Sequence, residues 1–416
     1  MSGERCFEGV QAAAAASLAV LDINTIGGVI DHDLLNEHCL DLHIRDSENA
    51  PGMALHQIDN FMRFGSWEQY SHIDAVIGGL SSPVTEAVQQ LLQWSGVPQI
   101  SYGSTSPRLS DKTKFPTLVR TVPSDRGLIE GIVSLLTKME WEFVTVLASD
   151  TDFGVTGSAL LRKKVVELHE SRLEVTAIKT FNKATIDGVL DELKKEIGRV
   201  VFLHCTPQEA SDVFVAASEK GMVGTGWAWI GSDWAQDSFF DEFAEDEVKQ
   251  NTLKQSLKGV VALRPKLMPT YVASHIARNL VSTERNLTAD LQDCSHVTDA
   301  KHIHPVANFA YDAVLVAATA FSRTIKTYGE RSANNFSAVS DALQDLQHDP
   351  VQTGATGQIH LDRSGDRTMA YSLVNLGYDG KWKSVGEFSE EGGEIKLFGE
   401  IESEKTIVWP GGSTGR

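Results

Sequence analysis

The fold is decided by residues 73–127, which read IDAVIGGLSSPVTEAVQQLLQWSGVPQISYGSTSPRLSDKTKFPTLVRTVPSDRG. Two short apolar runs, Ala75–Gly78 and Pro98–Tyr102, each lead into a loop rich in serine, and a predicted helix over Pro83–Trp94 separates them. Proline suits the start of that helix, because the first helical N–H has no partner within the helix. A strand, a helix and a strand in this order predict a parallel, doubly wound α/β sheet.

The same alternation of strands and helices continues on both sides of this stretch. Further strands are predicted over Leu40–Arg45, Phe143–Ala148, Val175–Thr180, Arg199–His204, Trp227–Ser232 and Gly259–Leu263. Further helices are predicted over Val10–Val20, Pro51–Phe64, Ser124–Met139, Val155–Glu170, Thr185–Ile197, Gln208–Lys220 and Val306–Lys326. In the tail, short strands are predicted over Gln358–Asp362, Tyr371–Leu376, Trp382–Phe388 and Ile395–Phe398, with a hairpin turn at Asp379-Gly380. Between the strand at Gly259–Leu263 and the helix that begins at Val306, we expect a long irregular connection.

The chain of 416 residues is long enough for two hydrophobic cores, so we expect two lobes, each with a doubly wound, mostly parallel sheet. We assign residues 1–122 and 259–372 to the first lobe, and residues 123–258 and 373–416 to the second. Several crossings between two lobes are typical of a cleft that opens and closes about a hinge.

The charge and the hydropathy of the chain exclude some partners. The formal net charge of −19 argues against nucleic acid, because its phosphates would be repelled, although solubility alone also explains this charge. No apolar run reaches the ~20 residues that a membrane-spanning helix needs. We therefore expect contact with a membrane only through a domain absent from this chain.

The four cysteines are Cys6, Cys39, Cys205 and Cys294. Their spacing is not that of a metal site, and we expect neither a metal nor a cofactor. A disulfide between Cys6 and Cys39 is the first pairing to test, although reduced thiols fit the sequence equally well. Glycosylation sequons at Asn286 and Asn335 fit an exported protein.

Polar side chains follow the predicted strands, at the edge where open α/β sheets bind ligands. Ser82 follows one strand of the quoted stretch, Ser104 and Thr105 follow the next, Asp125 begins a helix and Asp233 follows the strand Trp227–Ser232. Each has a plainer interpretation, such as a helix cap, a solvated loop or a turn former. Together, hydroxyls that suit a carboxylate and a carboxylate that suits an ammonium predict a site for a zwitterion such as an amino acid.

The quoted stretch resembles the extracellular Venus-flytrap domain of class C G-protein-coupled receptors, in particular the metabotropic glutamate and calcium-sensing branch. The resembling runs are VIGG-x-SS (76–82), VPQISYGSTSPRLSDK (97–112), RTVPSD (120–125), ASDTDFGVTG (148–157), IGSDWA (230–235), NFAYDAV (308–314), TGQIHLD (356–362) and KTIVWPGG (405–412). They extend the resemblance over nearly the whole chain. It implies the two-lobed fold of the type I periplasmic binding proteins.

The resemblance also implies individual ligand contacts. The family's carboxylate-binding serine falls on Ser82, and the threonine that contacts both ends of the ligand falls on Thr105, with Ser104 beside it. The aspartate that receives the α-ammonium falls on Asp125, and the aspartate of the second lobe falls on Asp233. These five residues are therefore candidates for binding an L-α-amino acid.

Several positions depart from the family pattern. The aromatic residue that closes over the α-carbon, usually tyrosine, is Phe153, which keeps a ring face for a cation–π contact and loses the phenol hydroxyl. Ala12 falls where glutamate receptors keep an arginine, which implies a ligand other than glutamate. Glu48 stands where the family has a cysteine after IRDS. The family's first strand is also expected to be missing before the helix at Val10–Val20.

These features give an extracellular sensor of amino acids that signals through a receptor, with homodimers formed through the helices Pro51–Phe64 and Pro83–Trp94 of the first lobe. The alternatives are a soluble amino-acid-binding protein of a transport system and a flytrap domain without a ligand. An enzyme is not expected, because the sequence contains neither the HExxH nor the GxGxxG motif.

Overall fold

The computed structural model describes residues 6–25, 35, 38–64, 73–169, 171–232, 234–240, 243, 246–288, 303–329, 336–346, 351–398 and 406–410. The helices of this part are α1 (Cys6–Asn24), α2 (Pro51–Phe64), α3 (Ser82–Leu92), α4 (Asp125–Lys138), α5 (Asp152–Glu167), α6 (Ile186–Leu193), α7 (Pro207–Glu219), α8 (Glu247–Ser256), α9 (Tyr271–Thr288), α10 (Pro305–Tyr328) and α11 (Phe336–Asp345). Its strands are β1 (Val76–Ile77), β2 (Gln99–Ser101), β3 (Leu118–Arg120), β4 (Phe143–Ser149), β5 (Glu174–Phe181), β6 (Val200–His204), β7 (Ala228–Gly231), β8 (Val261–Pro265), β9 (Val351–Gly354), β10 (Gly357–Leu361), β11 (Arg367–Thr368), β12 (Tyr371–Leu376), β13 (Trp382–Phe388) and β14 (Lys396–Leu397). No helix of these residues is both long enough and apolar enough to span a bilayer.

The chain divides into two compact units, and the first comprises Met1–Ser124 and Leu267–Thr368. Its parallel sheet has the order β1-β2-β3, and its antiparallel sheet has the order β11-β10-β9. Helix α1 packs against both α9 and α10. The alanine run of α1 is buried in this core, because small side chains let neighbouring helices approach closely.

The second unit comprises Asp125–Lys266 and Met369–Arg416. Its eight-stranded sheet has the order β14-β13-β12-β8-β7-β6-β4-β5, in which β5, β4, β6, β7 and β8 run parallel. Strand β6 is wholly buried, and β4 is buried beyond its first residue. Their side chains pack into two separate apolar clusters. Near-continuous apolar runs are expected when helices cover both faces of a parallel sheet.

The structure corrects the predicted placement of one strand. We predicted that the chain returns to the first lobe with the strand Gly259–Leu263, but β8 belongs to the sheet of the second unit. It pairs with β7 on one side and with β12 on the other, where Leu263 lies opposite Leu373. An apolar run predicts a buried strand, but it does not determine which sheet receives that strand.

Two further predictions were wrong. Residues 38–46 have no strand assignment, although we predicted a strand over Leu40–Arg45. The region that we expected to be irregular contains helix α9, whose residues Val272, Ile276 and Leu280 are buried. Their spacing of four residues is the apolar stripe of a helix packed on a core, and this periodicity was the signal that we overlooked.

Candidate functional site

In the first unit, Ser82 is the first residue of α3 and lies beside the loop that follows β2. Ser82 is buried, and its Oγ accepts a hydrogen bond from the backbone N–H of Ser106 at 3.2 Å. The preceding residue, Ser81, occupies the N-cap position. Ser82 is therefore not the cap of its helix, and its hydroxyl joins the start of α3 to the neighbouring loop.

Ser104 and Thr105 lie side by side in that loop and differ in what their hydroxyls do. The Ser104 Oγ is 2.8 Å from the Thr85 Oγ1 and donates to the carbonyl oxygen of Gly79 at 3.2 Å. Ser104 thus holds together the loops that follow β1 and β2. The Thr105 hydroxyl, by contrast, makes no hydrogen bond with the described residues.

Buried Arg120 fixes the backbone on both sides of Thr105. Its Nη1 donates to the carbonyl oxygens of Ser104 at 2.9 Å and Ser106 at 3.0 Å. Its Nε donates to the Asp366 Oδ1 at 2.8 Å, so the guanidinium charge is paired inside the unit. The loop that carries Thr105 is therefore preorganised before any ligand arrives.

In the second unit, Asp125 begins α4, where the positive end of the helix dipole favours a carboxylate. Its side chain is only 2% exposed, and its Oδ2 lies 3.8 Å from the Nε2 of His204, the last residue of β6. The Phe153 ring lies against the same imidazole, with 4.2 Å between the ring centroids. Asp125, Phe153 and His204 form one cluster, which we call the acidic-aromatic cluster.

His204 does not neutralise this cluster. Its side chain is completely buried, and burial lowers its pKa from 6.5 to about 3, while a backbone hydrogen bond involving Phe153 opposes this shift only in part. The imidazole is therefore neutral at physiological pH. Its contact with Asp125 is therefore a contact between an acidic side chain and a neutral ring.

Two glycines allow α5 to lie against the ends of β4 and β6. A Cβ at Gly157 would overlap the Nε2 of His204, and a Cβ at Gly154 would overlap the carbonyl oxygen of Ser149. Thr151 caps this helix by accepting a hydrogen bond from the N–H of Gly154. The run from Thr151 to Gly157 therefore brings Phe153 onto the imidazole.

The sequence interpretation did not include His204 among the candidate site residues. The missed signal was a polar residue that ends an otherwise apolar strand, VVFLH, at the carboxyl edge of a parallel sheet. Asp233 lies outside the described residues. Its neighbour Ser232 is buried, and the Ser232 hydroxyl has no hydrogen-bond partner among the residues that the structure describes.

Comparison with known proteins assigns the family. The family described as "Receptor family ligand binding region" matches residues 11–379, most of the chain. The chain belongs to this family. It is a class C receptor-like Venus-flytrap domain, and this receptor-family membership confirms both the predicted resemblance and the predicted α/β fold of type I periplasmic binding proteins.

Three relatives of this domain are named as receptors. Taste receptor type 1 member 2 of Mus musculus is 30% identical over 245 residues, which cover 56% of this chain and 29% of that protein. Glutamate receptor 3.1 of Oryza sativa subsp. japonica is 26% identical over 435 aligned positions, covering 96% of this chain and 43% of that protein. Gamma-aminobutyric acid type B receptor subunit 2 of Homo sapiens is 22% identical over 399 residues, which cover 91% of this chain and 40% of that protein. The chain thus spans less than half the length of each of these receptors.

Thiols and possible metal ligands complete the description of the site. Cys39 is an exposed free cysteine, as in the reduced alternative to a Cys6–Cys39 disulfide, and the Cys6 side chain lies outside the described part. Within the described ranges, no three His, Cys, Asp or Glu residues come together in a group that would hold a metal ion.

Proposed function

We propose that this domain is the extracellular, ligand-binding part of a receptor that senses a small L-α-amino acid with an uncharged side chain. The observation that carries this proposal is the acidic-aromatic cluster. A buried carboxylate next to a neutral imidazole and a phenyl ring offers a primary ammonium both a counter-charge and a cation–π contact. Because water is largely excluded from Asp125, this attraction is stronger than it would be at the surface.

The first unit supplies groups that suit the other end of an amino acid. Ser82 lies at the start of α3, where the backbone N–H groups and the helix dipole favour a carboxylate. The Thr105 hydroxyl is available in a loop whose backbone Arg120 already holds in place. Binding therefore requires little ordering of this loop, which reduces its entropic cost. Ser104 contributes by holding the loop, because its hydroxyl already interacts with the Thr85 hydroxyl and the Gly79 carbonyl oxygen.

We infer that one ligand engages Ser82 and Thr105 through its carboxylate, and Asp125 and Phe153 through its ammonium. A ligand that gains both sets of contacts only in a closed conformation shifts the domain towards that conformation, and this shift is the signal. In this proposal Asp233 adds a further contact from the second unit.

The environment of Ala12 supports an uncharged ligand side chain. Ala12 is buried in the apolar core that α1 forms with α9 and α10. An arginine at this position would be an unpaired buried charge, so the chain offers no basic side chain there to a distal carboxylate. Glutamate is therefore not the ligand that we propose.

The proposed receptor is a homodimer that associates through α2 and α3. Both helices are amphipathic, with buried residues such as Ala54 and Val88 on one side. Beyond them, Met62 and Trp94 are exposed, Trp94 to 87%. An exposed apolar side chain on α2 and another two residues beyond the end of α3 favour an association surface at this place.

The function is tested by binding measurements on the purified chain with each of the twenty amino acids. A ligand at ~100-fold over its dissociation constant should stabilise the domain by roughly 2.7 kcal/mol, which a thermal shift detects. Asp125→Asn should abolish the shift for the neutral amino acids that bind. Asp187→Asn is the matched control, because Asp187 lies in the first turn of α6 in the same unit but is 75% exposed. Equal affinity in both variants would disprove the assignment of the ammonium site.

A further inference from the structure

A second cavity in the first unit has a different chemistry from the proposed amino-acid site. It has a volume of about 220 Å³ and lies between the segment that leads into β3, the turn between β10 and β11, and helix α11. Its polar lining includes Lys112 and Arg363, together with Ser340 and Gln344 on one face of α11. Two basic side chains in one cavity are notable on a chain with a net charge of −19.

The amine of Lys112 is largely withdrawn from water. Its Nζ donates a hydrogen bond to the carbonyl oxygen of Leu118. A Cβ at Gly365 would lie 2.9 Å from that nitrogen, so the glycine leaves room for the amine. The pKa of Lys112 is lowered from 10.5 to about 8, mainly by burial and in smaller part by Arg120, while Asp366 and Asp362 oppose this shift. An anion bound in the cavity would favour the protonated amine.

The acidic groups near this amine already accept hydrogen bonds from other donors. Asp366 accepts from the Arg120 Nε at 2.8 Å and from the Ser110 hydroxyl at 2.6 Å. Asp362 accepts from the backbone N–H of Ser364 at 2.7 Å. Among the described residues, Lys112 and Arg363 are the charged side chains that line the cavity, and the nearby carboxylates of Asp362 and Asp366 accept hydrogen bonds from partners of their own.

The remaining polar groups of the cavity can donate hydrogen bonds to an anion. The Ser340 Oγ is buried and has no hydrogen-bond partner in the part of the chain that the structure describes. Arg363 is exposed and supplies a planar fork of N–H donors at the edge of the cavity. An ammonium, a guanidinium and a hydroxyl on three separate elements suit an anion with several acceptor oxygens better than a single spherical ion.

We propose that this cavity binds a small oxyanion of the phosphate or sulfate class, held by Lys112, Arg363 and Ser340. The cavity is large enough to keep bridging water beside the ion. This site shares no residue with the proposed amino-acid site, so binding of the anion can be measured without any amino acid present.

The test is calorimetric titration of the whole chain with inorganic phosphate, sulfate and chloride at constant ionic strength. We expect saturable binding of phosphate or sulfate that exceeds binding of chloride. Arg363→Met should weaken it by at least about tenfold, the effect of losing a hydrogen bond to a charged group. Gln344→Glu should have a similar effect, because it places a carboxylate at the cavity without removing a basic group.

Lys112→Met tests the amine directly, and Lys114→Met is its matched control. Lys114 lies two residues away, is 65% exposed and pairs with Asp111 at 3.4 Å, so its loss should leave phosphate binding unchanged. If Lys112→Met fails to fold, Arg363→Met and Gln344→Glu decide the result. Absence of phosphate and sulfate binding to the unmodified chain would overturn the proposal. Phosphate affinity in Arg363→Met and Gln344→Glu that is unchanged from the unmodified chain, or chloride binding as strong as phosphate binding, would also overturn it.

Discussion

The Nε2 of His204 lies 3.8 Å from the Oδ2 of Asp125, and neither side chain is more than 2% exposed. At this distance the imidazole shapes the surroundings of the carboxylate without compensating its charge, because burial keeps the ring neutral. This arrangement has two consequences. The stability of the fold should depend on pH, and α5 must pack closely against His204.

The first prediction concerns the pH dependence of stability. The unfolded chain protonates His204 at a pKa near 6.5, whereas the folded chain does so only at about 3. Between these values the unfolded state binds more protons, so the free energy of unfolding should fall as the pH decreases from 6.5 towards 3. Above pH 6.5 the titration of His204 no longer changes the free energy of unfolding. Between pH 6.5 and 3 it changes that free energy by at most about 1.4 kcal/mol per pH unit.

Urea unfolding of the wild type and of His204→Gln between pH 7 and pH 4 measures this contribution. The variant should be less sensitive to acid than the wild type. His360→Gln is the control, because His360 is an exposed residue of β10, and its loss should leave the slope unchanged. Parallel curves for the wild type and the His204 variant would show that the ring is not buried in its neutral form.

The second prediction concerns the two glycines of helices α5 and α6. Gly157→Ala should destabilise the second unit by about 1–3 kcal/mol, because the new methyl group overlaps the His204 imidazole in a tightly packed site. Gly188→Ala in α6 should instead be stabilising by up to about 1 kcal/mol, since a Cβ there meets no atom within 4 Å and alanine favours the helix. Thermal unfolding of both variants tests the difference. Similar effects at the two positions would mean that α5 does not contact His204.

Local patterns predicted much of the fold. Helix α2 has the predicted bounds Pro51–Phe64, and β12 and β13 have the bounds predicted for the strands on either side of the hairpin turn at Asp379-Gly380. These elements are specified by residues close together in sequence. The placement of β8 was predicted wrongly, because its neighbours β7 and β12 come from distant parts of the chain and only long-range pairing decides between two sheets.

The candidate site was predictable residue by residue but not as a set of contacts. The sequence indicated Asp125 at a helix start and an aromatic ring at Phe153, yet it did not indicate that His204 lies between them. Likewise, Ser104 and Thr105 look equivalent in sequence, and only the hydrogen bond to Thr85 separates their roles. Such distinctions depend on the direction of side chains, which a periodic pattern does not contain.

The third prediction concerns the buried pair of Arg120 and Asp366. Arg120→Met should lower the free energy of unfolding by about 3–5 kcal/mol, because it leaves the Asp366 carboxylate buried without its partner. Arg108→Met is the matched control. Arg108 pairs with Glu86 at 3.2 Å near the surface, and loss of such a pair costs about 1 kcal/mol or less. Chemical denaturation of both variants measures the two costs, and a small effect at Arg120 would contradict its role in holding the loop around Thr105.

The last prediction separates the hydroxyls of Ser104 and Thr105. Ser104→Ala should lower the free energy of unfolding by about 1–3 kcal/mol, since it leaves polar groups of Thr85 and Gly79 buried with fewer partners. Thr105→Ala should change stability by no more than about 0.5 kcal/mol, because this hydroxyl makes no hydrogen bond with the described residues. It should instead weaken binding of the amino acid that the thermal-shift screen identifies.

Stability and ligand binding must both be measured for Ser104→Ala and for Thr105→Ala. Thr105→Val is the stricter test of binding, because it keeps the volume of the side chain and removes only the hydroxyl. A loss of affinity in Thr105→Val at unchanged stability would assign the hydroxyl to the ligand. The reverse pattern, with Ser104→Ala harmless to the fold and Thr105→Ala destabilising it, would show that the two side chains have exchanged roles and would move the proposed carboxylate contact from Thr105 to Ser104.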